Sequence, residues 1–196
     1  EVPKSEFVAL RNAMASTSAE ADNMIKAIRS LYRFAIEIGH CSENPALSIA
    51  RIHKPKGGAV AWNADDIAQY KKSHPPGTMA HLYHTLLMFT GCRIGDAIWL
   101  GRNQEVKREG QVWLKWQPRK TGSAIVEIPM LPPLFDATRA QVVQGPTYML
   151  NEHGKPFKSS DTLRTRFARW CASAGLEGKS SHGIRKALAE ILSEAE

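Results

Sequence analysis

The sequence predicts a mainly α-helical fold with one small three-stranded antiparallel β-sheet, an α+β arrangement. Three observations lead there. Apolar residues recur at spacings of three and four in the segment after Thr17, the mark of an amphipathic helix. The period falls to two near residues 111–128, where Val112, Leu114 and Trp116 alternate with Gln111, Trp113 and Lys115. Hydrophobic residues at 43% and charged residues at 23% give a chain of 196 residues enough apolar surface to bury a core.

Taken in order, residues 2–14 read as a first helix. Thr17-Ser18-Ala19-Glu20 is a capping-box pattern, and Ala21, Met24, Ile25, Ile28, Leu31, Tyr32, Ala35 and Ile38 continue it as a second helix to Gly39. Asn44-Pro45 starts a short turn or helix. His53 to Gly58 joins two lysines, a proline and two glycines, a linker composition that divides the chain into residues 1–55 and 56–196. Asn63 caps a helix to Lys72 with Asp65 and Asp66 in its positive first turn, and Thr78 caps another to Thr90, ending at Gly91. A short helix holds Arg93 to Leu100. Strands follow at Gln104 to Lys107, turned by Glu109-Gly110, then at Gln111 to Trp116, and at Ile125 to Ile128 beyond a turn over Pro118 to Ser123. Trp113 and Trp116 fall on opposite strand faces, one expected in the core and the other over a helix. Helices return at Pro133 to Val143, Ser160 to Ala174, and His182 onward.

Lys plus Arg is 26 against 19 Asp plus Glu, a net charge of +7, which favours a polyanionic partner such as nucleic acid or an anionic membrane surface. No apolar run reaches the roughly 18 residues of a membrane span. Cys41, Cys92 and Cys171 are odd in number and widely spaced, so neither a disulfide framework nor a thiolate zinc site is expected. His81 and His84 share a helix face but lack a third ligand, so no metal is expected there. Between Asn151 and Lys186, eight basic residues face three acidic ones, which concentrates five of the seven net charges. Arg166 and Arg169 share one helix face there, while Leu163, Phe167 and Trp170 form its buried stripe. The alternative to phosphate binding is a solvated helix face; basic loops on either side favour phosphate.

Four segments now stand together: Thr90-Gly91-Cys92-Arg93-Ile94-Gly95-Asp96, Arg119-Lys120-Thr121-Gly122, Ser181-His182-Gly183-Ile184-Arg185, and the helix ending at Gly39 followed by Asn44-Pro45. In order and spacing they resemble the tyrosine site-specific recombinases, the phage integrase family, over nearly the whole chain. Each segment alone is common; their ordered occurrence in a basic chain carries the resemblance.

The resemblance implies a tyrosine-recombinase catalytic domain over residues 56–196, preceded at residues 1–55 by the last helices of a helical core-binding domain, the two forming a C-shaped clamp around duplex DNA. It implies catalytic roles for Arg93, Lys120, His182 and Arg185, with Asp96, one helical turn from Arg93, pairing with and supporting that guanidinium. The chemistry suits these residue types. Breaking a phosphodiester builds charge on the non-bridging oxygens, and forked guanidinium groups match two oxygens at once. The lysine would protonate the leaving 5′ oxygen, and the histidine would hydrogen-bond the phosphate or accept the nucleophile's proton. The arginines supply the charge that a divalent metal would otherwise bring, so no cofactor is expected. Lys54, Lys56, Arg119, Lys155, Lys158, Arg166, Arg169, Lys179 and Lys186 are the expected DNA contacts.

The family's nucleophilic tyrosine falls well after its His-x-x-Arg helix, whereas Tyr32, Tyr70, Tyr83 and Tyr148 all precede His182. A further His or Trp of the family, expected after that helix, has no counterpart. The chain also begins at Glu1 with neither an initiator Met nor a signal region. The expectation is therefore a piece of a longer cytoplasmic enzyme from a phage, transposon or genomic island. The piece would bind duplex DNA as a monomer without forming a covalent adduct, and the full-length protein would act as a tetramer on inverted half-sites. The competing readings are a non-catalytic DNA-binding remnant and an RNA-binding or type IB topoisomerase-like enzyme.

Overall fold

Apolar positions three and four apart coil the first part of the chain into α1 (Lys4–Ala13) and α2 (Ser18–Glu37). The structure is a computed structural model describing residues 2–54 and 57–194, so Lys56, expected to contact DNA, lies outside the described residues. The chain divides into two compact units, Glu1–Gly58 and Ala59–Glu196. In the first, Ile25, Ala46 and Ile49 form a small core against Phe7, Val8, Met24 and Ile28. The segment after α2 is held by polar groups of that helix. Arg29 donates to the carbonyls of Ala46 and Ile49, and the Asp22 carboxylate accepts the backbone N–H groups of Ile52 and His53 at 3.0 Å each.

The capping box expected at Thr17 is not formed. A 3-10 turn over Ala15–Thr17 leads into α2, so Thr17 has no extended N-cap backbone, and its hydroxyl donates back to the Met14 carbonyl at 3.4 Å.

The second unit contains α3 (Ala64–Ser73), α4 (Met79–Thr90), α5 (Ile94–Ala97), β1 (Glu105–Arg108), β2 (Gln111–Trp116), β3 (Val126–Pro129), α6 (Pro132–Arg139), α7 (Ser160–Ser173) and α8 (Ser181–Glu194). The box expected at Asn63 does form: its side chain accepts the Asp66 N–H at 2.8 Å, and Asp66 accepts the Asn63 N–H at 2.9 Å. The strands pair antiparallel in the order β1-β2-β3, joined first by Glu109 and Gly110, both with positive φ, as a two-residue hairpin turn demands.

Helix α4 is buried nearly all round from Ala80 to Leu87, His84 and Thr85 included, because it runs through the core and packs on α5, α6 and α8. Around it lie Trp62, Tyr70, Leu114, Trp116, Leu134, Phe167 and Ile184. Trp116 is core as expected of one tryptophan; Trp113 is half-buried, with the Arg108 guanidinium 5.9 Å over its ring. Helix α6 stops at Arg139, short of the expected Val143. The Gln141 amide turns inward to the Ala137 and Thr78 carbonyls, and Val142 is left 96% exposed.

One polar cluster fastens the sheet to the helices. Arg139 donates to both Glu105 carboxylate oxygens, at 2.8 and 2.6 Å, and the Tyr148 hydroxyl adds a third bond at 2.5 Å. Burial works to raise the Glu105 carboxyl, but these bonds outweigh it and hold it below the usual carboxylate range. Glu105→Gln leaves Arg139 half-satisfied and is expected to cost about 2 kcal/mol in urea unfolding; a loss below about 0.5 kcal/mol would show the cluster to be incidental.

Candidate active site

Helix α4 ends at Gly91, whose φ of +57° and N–H bond to the Leu87 carbonyl form the turn out of the helix. An added Cβ there would meet Leu188 of α8 at 3.3 Å. The Thr90 hydroxyl accepts the Cys92 N–H at 3.1 Å, so Cys92 tucks inward and Arg93 is delivered in extended conformation as the residue before α5. Burial pushes the Cys92 thiol up to about 12, which keeps it protonated and inert as a nucleophile near neutral pH.

The other side of the site is the start of α8. The Ser180 hydroxyl accepts the Gly183 N–H at 3.2 Å, capping the helix on whose first turn His182 is exposed. One turn on, Arg185 donates through Nε to the Gly91 carbonyl at 2.7 Å, which binds α8 to the end of α4 and leaves its two terminal nitrogens for other partners.

Arg93, His182 and Arg185 thus line one cleft of about 380 Å³, together with Arg164 of α7 and Lys179, and no carboxylate is in its lining. Burial first, and the neighbouring Arg93 charge second, shift the Arg185 pKa downward. The fold therefore holds like charges close together, a cost that an anion bound between them would relieve. Arg164 was not singled out from the sequence. Its only signal was membership of the basic run before Phe167.

Asp96 does not make the expected pair with Arg93. The carboxylate is only 3% exposed and accepts the Arg119 backbone N–H at 2.9 Å, so it anchors the turn between β2 and β3 instead. Lys120 is exposed on that turn and is not part of the cleft lining. The loop closes on itself through the Ser123 N–H to the Lys120 carbonyl at 3.2 Å and the Gln117 amide to the Ser123 carbonyl at 2.6 Å. The guanidinium of Arg119 lies 5.6 Å over the Trp99 ring.

The expected DNA contacts divide by their surroundings. Lys155, Lys158 and Arg169 are exposed, the last two lining a shallow groove of about 410 Å³ along α7. Arg166, in the same groove, is paired with Glu152, and Lys179 with Asp66. Lys186 is exposed, 4.0 Å from Glu190 one turn along α8. Lys54 is exposed in the first unit.

Among the described residues no three His, Cys, Asp or Glu side chains are grouped to hold a metal ion. His84 is 1% exposed and lies against the Tyr70 ring at 5.3 Å, with neither ring nitrogen partnered. None of the four tyrosines lines the cleft: Tyr70, Tyr83 and Tyr148 are buried, and burial raises all three hydroxyls, while Tyr32 packs edge-on against Phe7.

No protein-family model and no curated protein matches this sequence. The fold is nevertheless that of the tyrosine recombinases, an α+β catalytic domain with one three-stranded sheet. A lambda integrase dimer bound to a COC′ core site superposes with a TM-score of 0.75 at 23% identity, covering 100% of this chain and 58% of that one. The Tn1549 transposon integrase in complex with transposon right-end DNA gives 0.69 at 14% identity, covering 100% and 74%. The XerH site-specific recombinase bound to its difH substrate gives 0.66 at 14% identity, covering 100% and 61%. At these identities the likeness establishes the fold, and this chain spans under two thirds of the lambda integrase chain in that dimer.

Proposed function

We propose that this chain is the DNA-handling and catalytic part of a site-specific recombinase that cuts and rejoins duplex DNA through a 3′-phosphotyrosyl intermediate. The observation that carries the reading is the convergence of Arg93, His182 and Arg185, from distant parts of the sequence, on one cationic cleft free of carboxylates in its lining. The DNA-bound recombinases that share the fold support it.

In this reading a tyrosine supplied from outside these 196 residues attacks the phosphorus, and the P–O5′ bond breaks. Arg93 and Arg185 hold the non-bridging oxygens as charge builds on them, and His182 accepts the phenol proton. Lys120 gives a proton to the departing 5′ oxygen, which requires residues 118–123 to carry it inward once DNA is bound. Rejoining reverses each transfer, so the bond energy is kept in the phosphotyrosine. Residues 1–55 belong to a core-binding domain, the target is a pair of inverted half-sites, and the full-length protein works in the cytoplasm as a tetramer without a cofactor. The lambda integrase tetramer solved on a Holliday junction is the parallel for that assembly.

The 196-residue chain is expected to bind duplex DNA as a monomer, with log affinity falling linearly in log salt. Lys158→Ala combined with Arg169→Ala reduces the slope by about 2, one counterion per lost phosphate contact. A slope unchanged by both substitutions removes the α7 groove from the DNA interface. Trapping a radiolabelled strand covalently on the purified chain overturns the assignment of the nucleophile to residues outside it. A complete gene product that binds such DNA but never cleaves it reduces the protein to a DNA-binding remnant.

A further inference from the structure

We propose that residues 60–62 form a strap that positions the first turn of α8, with Trp62 as a positioning residue for His182 and Arg185; this rests on the phosphate-binding reading of the cleft. The Trp62 indole N–H donates to the Ser180 carbonyl at 3.1 Å, and its backbone N–H to the Gly183 carbonyl at 3.3 Å. These two bonds bracket His182 on either side. A third tie lies alongside, where Lys179 is paired with Asp66 in the capping box of α3. The strap approaches so closely that a Cβ on Gly183 would stand 2.3 Å from the Val60 carbonyl oxygen and 3.0 Å from the Trp62 ring. Only glycine fits there without moving one element or the other.

The indole is itself rigidly held. It is 3% exposed, and its ring lies 6.0 Å from Phe167 at 20°, 5.3 Å from Tyr70 and 5.8 Å from His84. The direction in which α8 leaves Ser180 is thus fixed from the aromatic core. On the far side, Arg185 is fixed by the Gly91 carbonyl. A phosphate in the cleft is met by groups whose backbone is pinned before it arrives, which lowers the ordering cost of binding.

The test uses the 196-residue chain with histidines labelled at Cε1, titrated with inorganic phosphate and read at the His182 NMR signal. Trp62→Phe keeps most of the packing and removes the indole donor. Its phosphate affinity is expected to fall about tenfold, the factor one hydrogen bond carries. Leu134→Ala, a core change in α6 of equal or greater cost to stability, leaves phosphate affinity within about twofold, since it removes none of the hydrogen bonds that tie Trp62 to Ser180 and Gly183. Gly183→Ala, which drives a methyl against Val60, gives the same loss as Trp62→Phe and replaces it if that variant does not fold. Wild-type affinity in Trp62→Phe or Gly183→Ala, or an equal loss in Leu134→Ala, overturns the strap and leaves the proposed function standing. A wild-type chain whose His182 signal ignores phosphate overturns the phosphate reading, and the strap with it.

Discussion

Arg185→Gln, in the full-length protein, is expected to slow single-turnover strand cleavage by about three orders of magnitude while DNA affinity falls less than about tenfold. The asymmetry follows from where the residue sits. DNA affinity is spread over many cations, of which Lys155, Lys158 and Arg169 are exposed and far from any requirement for exact placement. Arg185, by contrast, is half-buried, spends Nε on the Gly91 carbonyl, and aims what remains of its fork into the cleft beside Arg93. Glutamine has no charge and cannot match two phosphate oxygens as the fork does. Arg185→Lys, which restores the charge without the fork, should recover only a small part of the rate. Equal losses of affinity and rate in Arg185→Gln would mean that the residue binds DNA without selecting the transition state.

Lowering the pH from 6.5 to 4.5 is expected to remove about 2 to 3 kcal/mol from the stability of the second unit, and His84 is the cause. This side chain is 1% exposed, with both ring nitrogens unpartnered, and desolvation, helped by the nearby Lys71 and His81 charges, lowers its pKa to about 3. The sign is fixed by linkage. Below pH 6.5 the unfolded chain protonates this histidine and the folded chain does not, so the unfolded state binds more protons and gains. The contribution is whole above pH 6.5 and is lost progressively as the pH falls toward 3. Burial lowers His81 too, so it acts in the same direction. The depressed carboxylates, Glu105 and Asp66 among them, begin to lose their contribution only near the bottom of this window, where the pH reaches the usual carboxylate range, which leaves most of it to the histidines. Urea midpoints of wild type and His84→Leu across the window measure the effect, and the variant should be much the flatter. Parallel curves would show that a protonated His84 is accommodated in the core.

The local instructions for most elements are written in short stretches of the chain. The Asn63 capping box, the Thr78 cap, the end of α4 at Gly91 and the Glu109-Gly110 hairpin all form where turn and cap chemistry places them. The departures have physical causes, local at one end of the scale and long-range at the other. Thr17 lost its capping role because the preceding residues coil into a 3-10 turn, and α6 ended early because Gln141 found buried carbonyls to bond. The ion pairs of Arg166 with Glu152 and of Lys179 with Asp66 join residues 14 and 113 apart in sequence, so only folding brings them into contact.

By itself the sequence determined the element types, their order, the basic character of the chain and the residue types that suit a phosphodiester. It did so because caps, hairpin turns and hydrophobic periods act within a few residues. What the tertiary structure alone decided is which of those residues meet. Arg93, His182 and Arg185 come together because α8 packs on the end of α4, whereas Lys120 stays outside on a turn that Asp96 ties to α5. The strap through Trp62 had no signal in the sequence at all, since a tryptophan two residues from a helix reads as core packing. Its contact with Ser180 and Gly183 crosses 118 and 121 residues, a separation over which no periodicity or motif carries information.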